Sequence, residues 1–216
     1  MTQAPTVMAT KTAALKKRDP VTTDQAKVDR ALAHCRQSIK VGSLSFSLAA
    51  SLLGGKTRDA VFMLYGWCRY CDDAIDQLPP ETSTSQKLAT LSHLRRETEQ
   101  AYYQIQDNPV FVGLHHIAGK HSIPPYYPLE LLAGMEMDLA GYSYETRADL
   151  LIYCYRVAGI VGLMSSHILT VKEDTALEQA THMGIAMQIT NIARDVFDDF
   201  QLGRIYIPRS LLEKHG

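Results

Sequence analysis

Apolar residues recur at helical spacing through most of the chain, and no segment alternates with period two for long enough to form a convincing strand. Polar punctuation divides these runs into successive elements. Thr23 followed by Asp24 caps a helix predicted through residue 40, Thr57 one through residue 78, and Ser83 or Thr84 one through residue 107. Asn108 and Pro109 form a fresh N-cap and N1 pair, and Pro128 opens LELLAGMEMDLAGY in the same way. Two long helices follow, over residues 146–169 and from residue 174 or 175 to about residue 200, with Gly203 as the stop. The expected fold class is therefore all-α. The first 25 residues are rich in Thr, Ala, Lys and Pro and lack an apolar core, which predicts a disordered tail over 1–25 and one helical domain over 26–216.

Composition narrows the functional classes. A net charge of −1, with Lys and Arg scattered along the chain, gives no basic stripe for nucleic acid. Cys35, Cys68, Cys71 and Cys154 lack the spacing of a secreted disulfide framework and fit a reducing cytoplasm. Cys68 and Cys71 form a C-x-x-C without a second pair, which argues against a zinc site. Residues 157–171 are the most apolar stretch, but Ser165, Ser166 and His167 interrupt it and it falls short of the ~20 residues of a membrane span. A soluble or peripheral protein is expected. His115, His116 and His121 show no repeated ligand spacing and are expected in loops or at the surface.

The candidate chemistry lies in two acidic pairs. Asp72 and Asp76 in RYCDDAID, and Asp195 and Asp199 in NIARDVFDD, are each spaced i, i+4 within helical patterns, so each pair aims two carboxylates off one face. Like charges one turn apart disfavour an isolated helix by a few tenths of a kcal/mol, so two such pairs suggest a purpose beyond folding. If the helices face each other, their carboxylates form a mouth suited to Mg²⁺, a hard ion bound through a few carboxylates and substrate phosphates. Arg69, one turn before Asp72, brings a guanidinium able to grip phosphate oxygens. Gln188, Asn191, Asp195 and Asp199 recur at steps of three, four and four and form a polar stripe on an otherwise apolar helix. The pattern suggests a diphosphate-handling enzyme. Ser43 and Ser45 either cap a helix beginning near Phe46 or present hydroxyls and backbone N–H groups to an anion.

Taken together, GSLSF, YGWCRYCDDAID, YCYRVAGIVGLM and MQITNIARDVFDDFQLGRIYIP resemble the squalene/phytoene synthase family of head-to-head isoprenoid synthases, over most of the chain from Val41 onward. Trp67 and the closing GRIYIP segment look more like bacterial phytoene synthases than squalene synthases. The resemblance implies an isoprenoid-synthase-type helical bundle around a central cavity. It implies condensation of two geranylgeranyl diphosphates through prephytoene diphosphate to phytoene, with Mg²⁺ or Mn²⁺. Asp72, Asp76, Asn191, Asp195 and Asp199 are then the metal ligands, and the aspartates count with Tyr153 as catalytic. Arg69, Gln188 and Arg194 hold diphosphate, with Tyr65 and the turn of Gly42, Ser43 and Ser45 closing on it. Tyr153 matches a tyrosine proposed to assist proton removal, and Arg204 with Tyr206 would form a flap over the mouth. Tyr153, Val157, Ile160 or Val161, and Met164 form an apolar stripe that would keep water from the cation, while Gly159 and Gly162 permit close approach of a neighbouring helix. The expected setting is cytoplasmic with peripheral membrane contact. A C30 synthase using farnesyl diphosphate and a non-catalytic assembly or lipid-binding relative are the alternatives. Family members usually continue past GRxYxP with further helices, so a C-terminally incomplete domain is expected.

Overall fold

Residues 25–42 and 44–215 are described by the computed structural model; the predicted N-terminal tail lies outside them except for Gln25, which opens a helix. Among the described residues the fold is all-α. The helices are α1 (Gln25–Gly42), α2 (Leu44–Ser51), α3 (Gly55–Asp76), α4 (Thr84–Gln100), α5 (Pro109–His121) and α6 (Tyr126–Leu139). They continue with α7 (Arg147–Cys154), a π-helical segment (Tyr155–Gly159), α8 (Ile160–Ile168), α9 (Asp174–Arg194), α10 (Val196–Gln201) and α11 (Arg209–His215).

Local chemistry explains several of the boundaries. Ser83 and Gln86 form a reciprocal capping box at α4, and Thr146 with Asp149 forms another at α7. Asn108 accepts from the backbone N–H of Val110, with Pro109 at N1 of α5. Other boundaries differ from expectation. Gly54 rather than Thr57 precedes α3, and α6 begins two residues before Pro128. Helix α4 stops at Gln100 because Ala101 and Tyr102 turn into the core, and Gln106 Nε2 donates to the Glu97 carbonyl at 2.6 Å.

Helices α1, α3 and α5 pack on one another, with α4, α6 and α8 alongside. Cys35, Leu64, Trp67, Leu114 and Leu132 are fully buried between them. Such side chains contribute about 2 kcal/mol each. Trp67 also donates to Thr98 Oγ1 at 3.3 Å, tying α3 to α4. His115 lies in this core rather than at the surface, with Nδ1 2.7 Å from the Ala101 carbonyl oxygen. The tight turn that places Ala101 beside α5 gives the imidazole a buried partner.

The two long helices are present but interrupted. Arg147–Ile168 runs continuously with a π-helical segment in the middle, and α9 bends at Asp195, whose φ of −102° and ψ of 15° leave the helical range. Hydrogen bonds still bridge the bend, from Asp195 N to Asn191 O and from Asp199 N to Asp195 O, each 2.9 Å. Helix α9 lies against the π segment and α8. A side chain at position 162 would meet the Ala180 carbonyl oxygen at 2.5 Å, so Gly162 permits the close approach expected of it. By length and composition Arg147–Ile168 is long and apolar enough to cross a membrane, because α7 extends the apolar run beyond the stretch counted in sequence. In this fold it forms a wall between α6 and α9.

Candidate active site

Helices α3, α6, α7 to α8, α9 and α10 and the following loop enclose a cavity of about 390 Å³. The i, i+4 repeat of α3 aims Cys68, Asp72 and Asp76 into it, with Leu64, Tyr65 and Ile75 beside them. Gln188, Asn191, Ile192, Arg194 and Asp195 from α9 and Asp199 from α10 also line it. The two acidic pairs therefore share one cavity although over a hundred positions separate them. Leu131, Met135 and Leu139 of α6, with Val157 and Val161, supply apolar lining. Ile160 and Met164 turn away into the core. Val157 and Val161, like Ile160 and Met164, are spaced i, i+4, so the two sets occupy different faces of the same helix.

Electrostatics distinguish the carboxylates. Burial first, and the neighbouring Asp76 second, push Asp72 up to about 7, against the opposing pull of Arg69. Burial also raises Asp199, with Arg204 opposing. Asp195 is lowered because it accepts from Arg194 Nε at 2.6 Å and Nη2 at 2.5 Å. Arg204 pairs with Asp76 at 3.5 Å, linking the loop after α10 to α3.

A second polar group meets the same cavity. Tyr153 Oη donates to Asp138 Oδ2 at 2.8 Å, and Tyr206 Oη donates to Asp138 Oδ1 at 2.9 Å. The two phenol oxygens lie 3.2 Å apart and their rings stack with centroids 5.0 Å apart. Tyr144 sits edge-on to Tyr153 at 5.5 Å. Burial raises the Asp138 carboxyl, while the two phenol bonds and Arg204 pull it back.

The structure brings Asp72, Asp76, Tyr65, Tyr153, Gln188, Asn191, Arg194, Asp195 and Asp199 to one cavity. Arg69 is not among the lining residues and instead pairs with Asp73 at 2.8 Å. Gly42 ends α1, Ser43 lies outside the described residues, and Ser45 lies in α2 with its side chain undescribed. Arg204 and Tyr206, expected as a flap over the mouth, line the cavity. Asp138 was not anticipated. Its signal in sequence is the i, i+4, i+7 stripe of Leu131, Met135 and Asp138, which leaves one carboxylate on an apolar helix face.

Among the described residues, no three or more His, Cys, Asp or Glu side chains are gathered closely enough to hold a metal ion by themselves. The donor set is nonetheless of the right chemistry. Carboxylate and amide oxygens suit a hard cation, and Mg²⁺ typically uses one or two carboxylates plus substrate phosphates rather than an all-protein cage.

Residues 39–216 match the family profile of squalene/phytoene synthase. The chain is 42% identical to a 15-cis-phytoene synthase of Pantoea ananas over 86% of its own length and 62% of the relative's. It is 41% identical to a 15-cis-phytoene synthase of Enterobacter agglomerans, over 82% of this chain and 62% of that one. The chain thus spans about three fifths of the length of these curated relatives. Among solved structures, a dehydrosqualene synthase with bound ligand superposes with a TM-score of 0.78 at 34% identity, over 88% of this chain and 65% of that one. A squalene synthase from Alicyclobacillus acidocaldarius gives 0.79 at 25% identity, over 88% and 71%.

Proposed function

The chain belongs to the squalene/phytoene synthase family, and from that premise we propose that it is a head-to-head prenyltransferase, condensing two geranylgeranyl diphosphates through prephytoene diphosphate to phytoene. The observation that carries this reading is the shared cavity, which is lined both by carboxylates from α3 and from α9 to α10 and by apolar side chains of α3, α6, the π segment and α8. A polar diphosphate and a long hydrocarbon tail need both kinds of lining. The similarity to two 15-cis-phytoene synthases supports the C20 substrate over its C15 counterpart.

Asp72, Asp76, Asn191, Asp195 and Asp199 would hold Mg²⁺ or Mn²⁺, which when bound supplies Lewis-acid stabilisation of the departing diphosphate. Gln188 and Arg194 bind the diphosphate oxygens, with Tyr65, the segment of Gly42, Ser43 and Ser45, and Arg69 once it leaves Asp73, completing the grip. Arg194 must exchange its present partner Asp195 for the substrate. Leu64, Leu131, Met135, Val157 and Val161 exclude water that would quench a carbocation, and the ring of Tyr153 contributes about 0.5–2 kcal/mol of cation–π attraction where the cation faces it. Its hydroxyl assists proton removal. The expected setting is the cytoplasm, and a lipid tail and product would give the protein reason to contact a membrane peripherally.

The similarity to a dehydrosqualene synthase structure favours a second reading, a C30 product from farnesyl diphosphate. Incubation with each diphosphate, with and without Mg²⁺, followed by mass analysis of the hydrocarbon, decides between them. Metal-dependent C40 hydrocarbon is expected. A C30 product alone supports the second reading, and absence of product from both, in this chain and in one extended to its relatives' length, supports a non-catalytic relative.

A further inference from the structure

Asp138 is a half-buried carboxylate that the proposed reaction does not yet use. It lies on α6 at the wall of the same cavity, near enough to Asp72 and Asp199 for their charges to act on one another, and each of its oxygens accepts one phenol hydrogen bond. Tyr153 and Tyr206 are only 3% and 6% exposed and come from elements 53 positions apart in sequence. Two buried phenols converging on one carboxylate fix both hydroxyl hydrogens toward Asp138. The lone pairs of the phenol oxygens are then left free for other partners.

The balance of the proposed condensation requires a base. Two allylic diphosphates joined without a reductant release two diphosphate anions, and the combined carbon skeleton must also lose two protons to become a neutral hydrocarbon. A phenol alone is a poor final resting place for a proton. A phenol whose own proton is already shared with a carboxylate can take a proton on one side and give one on the other.

Resting on the reading above, we propose that Asp138 is the terminal acceptor of a proton relayed through Tyr153, with Tyr206 aligning the carboxylate. In this step a C–H bond next to the carbocation breaks and its electron pair becomes the new C=C bond. The proton passes to Tyr153 Oη, whose original proton moves along the 2.8 Å hydrogen bond to Asp138 Oδ2. The cation becomes an alkene, Tyr153 is again a neutral phenol, and Asp138 becomes a neutral acid that loses its proton to solvent after product leaves. Burial raises the proton affinity of Asp138 relative to an exposed carboxylate, which suits an acceptor. Asp138 acts through Tyr153 and is therefore a positioning residue.

The test separates ionisation from proton loss. The full chain and its Asp138→Asn variant are incubated with geranylgeranyl diphosphate and Mg²⁺, and inorganic diphosphate and hydrocarbon are counted separately. In the variant, hydrocarbon formed per diphosphate released should fall about a hundredfold while diphosphate release stays within about threefold, with water-quenched prenyl alcohols making up the difference. Tyr153→Phe keeps the carboxylate but removes its donor, and the same split is expected, which covers the case of an unfolded Asp138→Asn protein. Equal loss of both products in each folded variant, or no loss in either, overturns the relay and assigns the proton to another base. Wild-type protein that releases no diphosphate from either prenyl substrate overturns the proposed function itself, and the relay with it.

Discussion

Asp72 is pressed between burial and a like-charged neighbour, and that tension has a measurable sign. Its carboxyl titrates at about 7 in the folded protein against an ordinary value of 3.8, so between these values the folded state holds a proton that the unfolded state has lost. Stability from this group is therefore complete below pH 3.8 and disappears as pH rises through about 7. Metal-free protein should melt at a lower temperature at about pH 8 than at about pH 5, and Asp72→Asn should remove most of that difference in a thermal circular-dichroism scan. A variant with an unchanged pH dependence would place the tension elsewhere. The same residue gives a ligand test, since a cation replaces the missing proton. Millimolar Mg²⁺ should raise the melting temperature at pH 8 in the parent and much less in Asp72→Asn; no effect in the parent counts against these carboxylates as ion ligands. In a catalytically active chain, Asp195→Asn should cost at least about 3 kcal/mol of transition-state stabilisation, roughly a hundredfold in turnover. Activity within about tenfold of the parent would remove Asp195 from the ligand set.

At the scale of elements, the site depends on how closely α9 approaches the helix from Arg147 to Ile168. A side chain at position 184 would collide with the Ala158 carbonyl, which belongs to the π segment. Gly184→Ala should therefore destabilise the fold by about 1–3 kcal/mol, because backbone cannot yield as a flexible side chain can. Denaturant unfolding measures this; a loss under about 0.5 kcal/mol would show that the crossing relaxes easily. The sequence already carried the caps at Ser83 and Asn108, a helix start near Thr146 and the close approach at Gly162, because those signals are local. It did not carry the bend at Asp195 or the π segment, since an apolar helical period is nearly the same on either side of one displaced residue. Helical spacing alone puts Val161 with Tyr153 and Val157 on the cavity and Ile160 with Met164 in the core. The acidic pairs were legible because each is a repeated i, i+4 spacing. Asp138 was not, because its partners Tyr153 and Tyr206 lie on other elements and only tertiary packing brings them together.

For the whole molecule, the decisive feature is the apolar surface next to the cavity. Phe197, Phe200, Leu202 and Ile205 are 70%, 63%, 70% and 52% exposed. Some of them line a second, apolar hollow of about 350 Å³ that shares Asp199, Arg204 and Tyr206 with the cavity wall. Met183 and Met187 extend exposed apolar surface along α9. Contiguous apolar surface of this kind binds something or promotes association. The chain should bind a hydrophobic dye strongly and elute from size exclusion at a mass that rises with concentration. Replacing Phe197 and Phe200 together with serine should cut dye fluorescence by about half or more and shift elution toward the monomer. Both substitutions lie on exposed positions of α10, so melting should change by little, which separates loss of a surface from loss of the fold. If the double variant binds dye as the parent does, the adhesive surface lies elsewhere, and Leu48 and Leu52, 70% and 85% exposed near α2, are the next pair to replace. The first outcome would also tie association to the cavity, because Asp199 of α10 lines both the cavity and the apolar hollow. A partner seated on Phe197 and Phe200 would then hold one of the carboxylates in place.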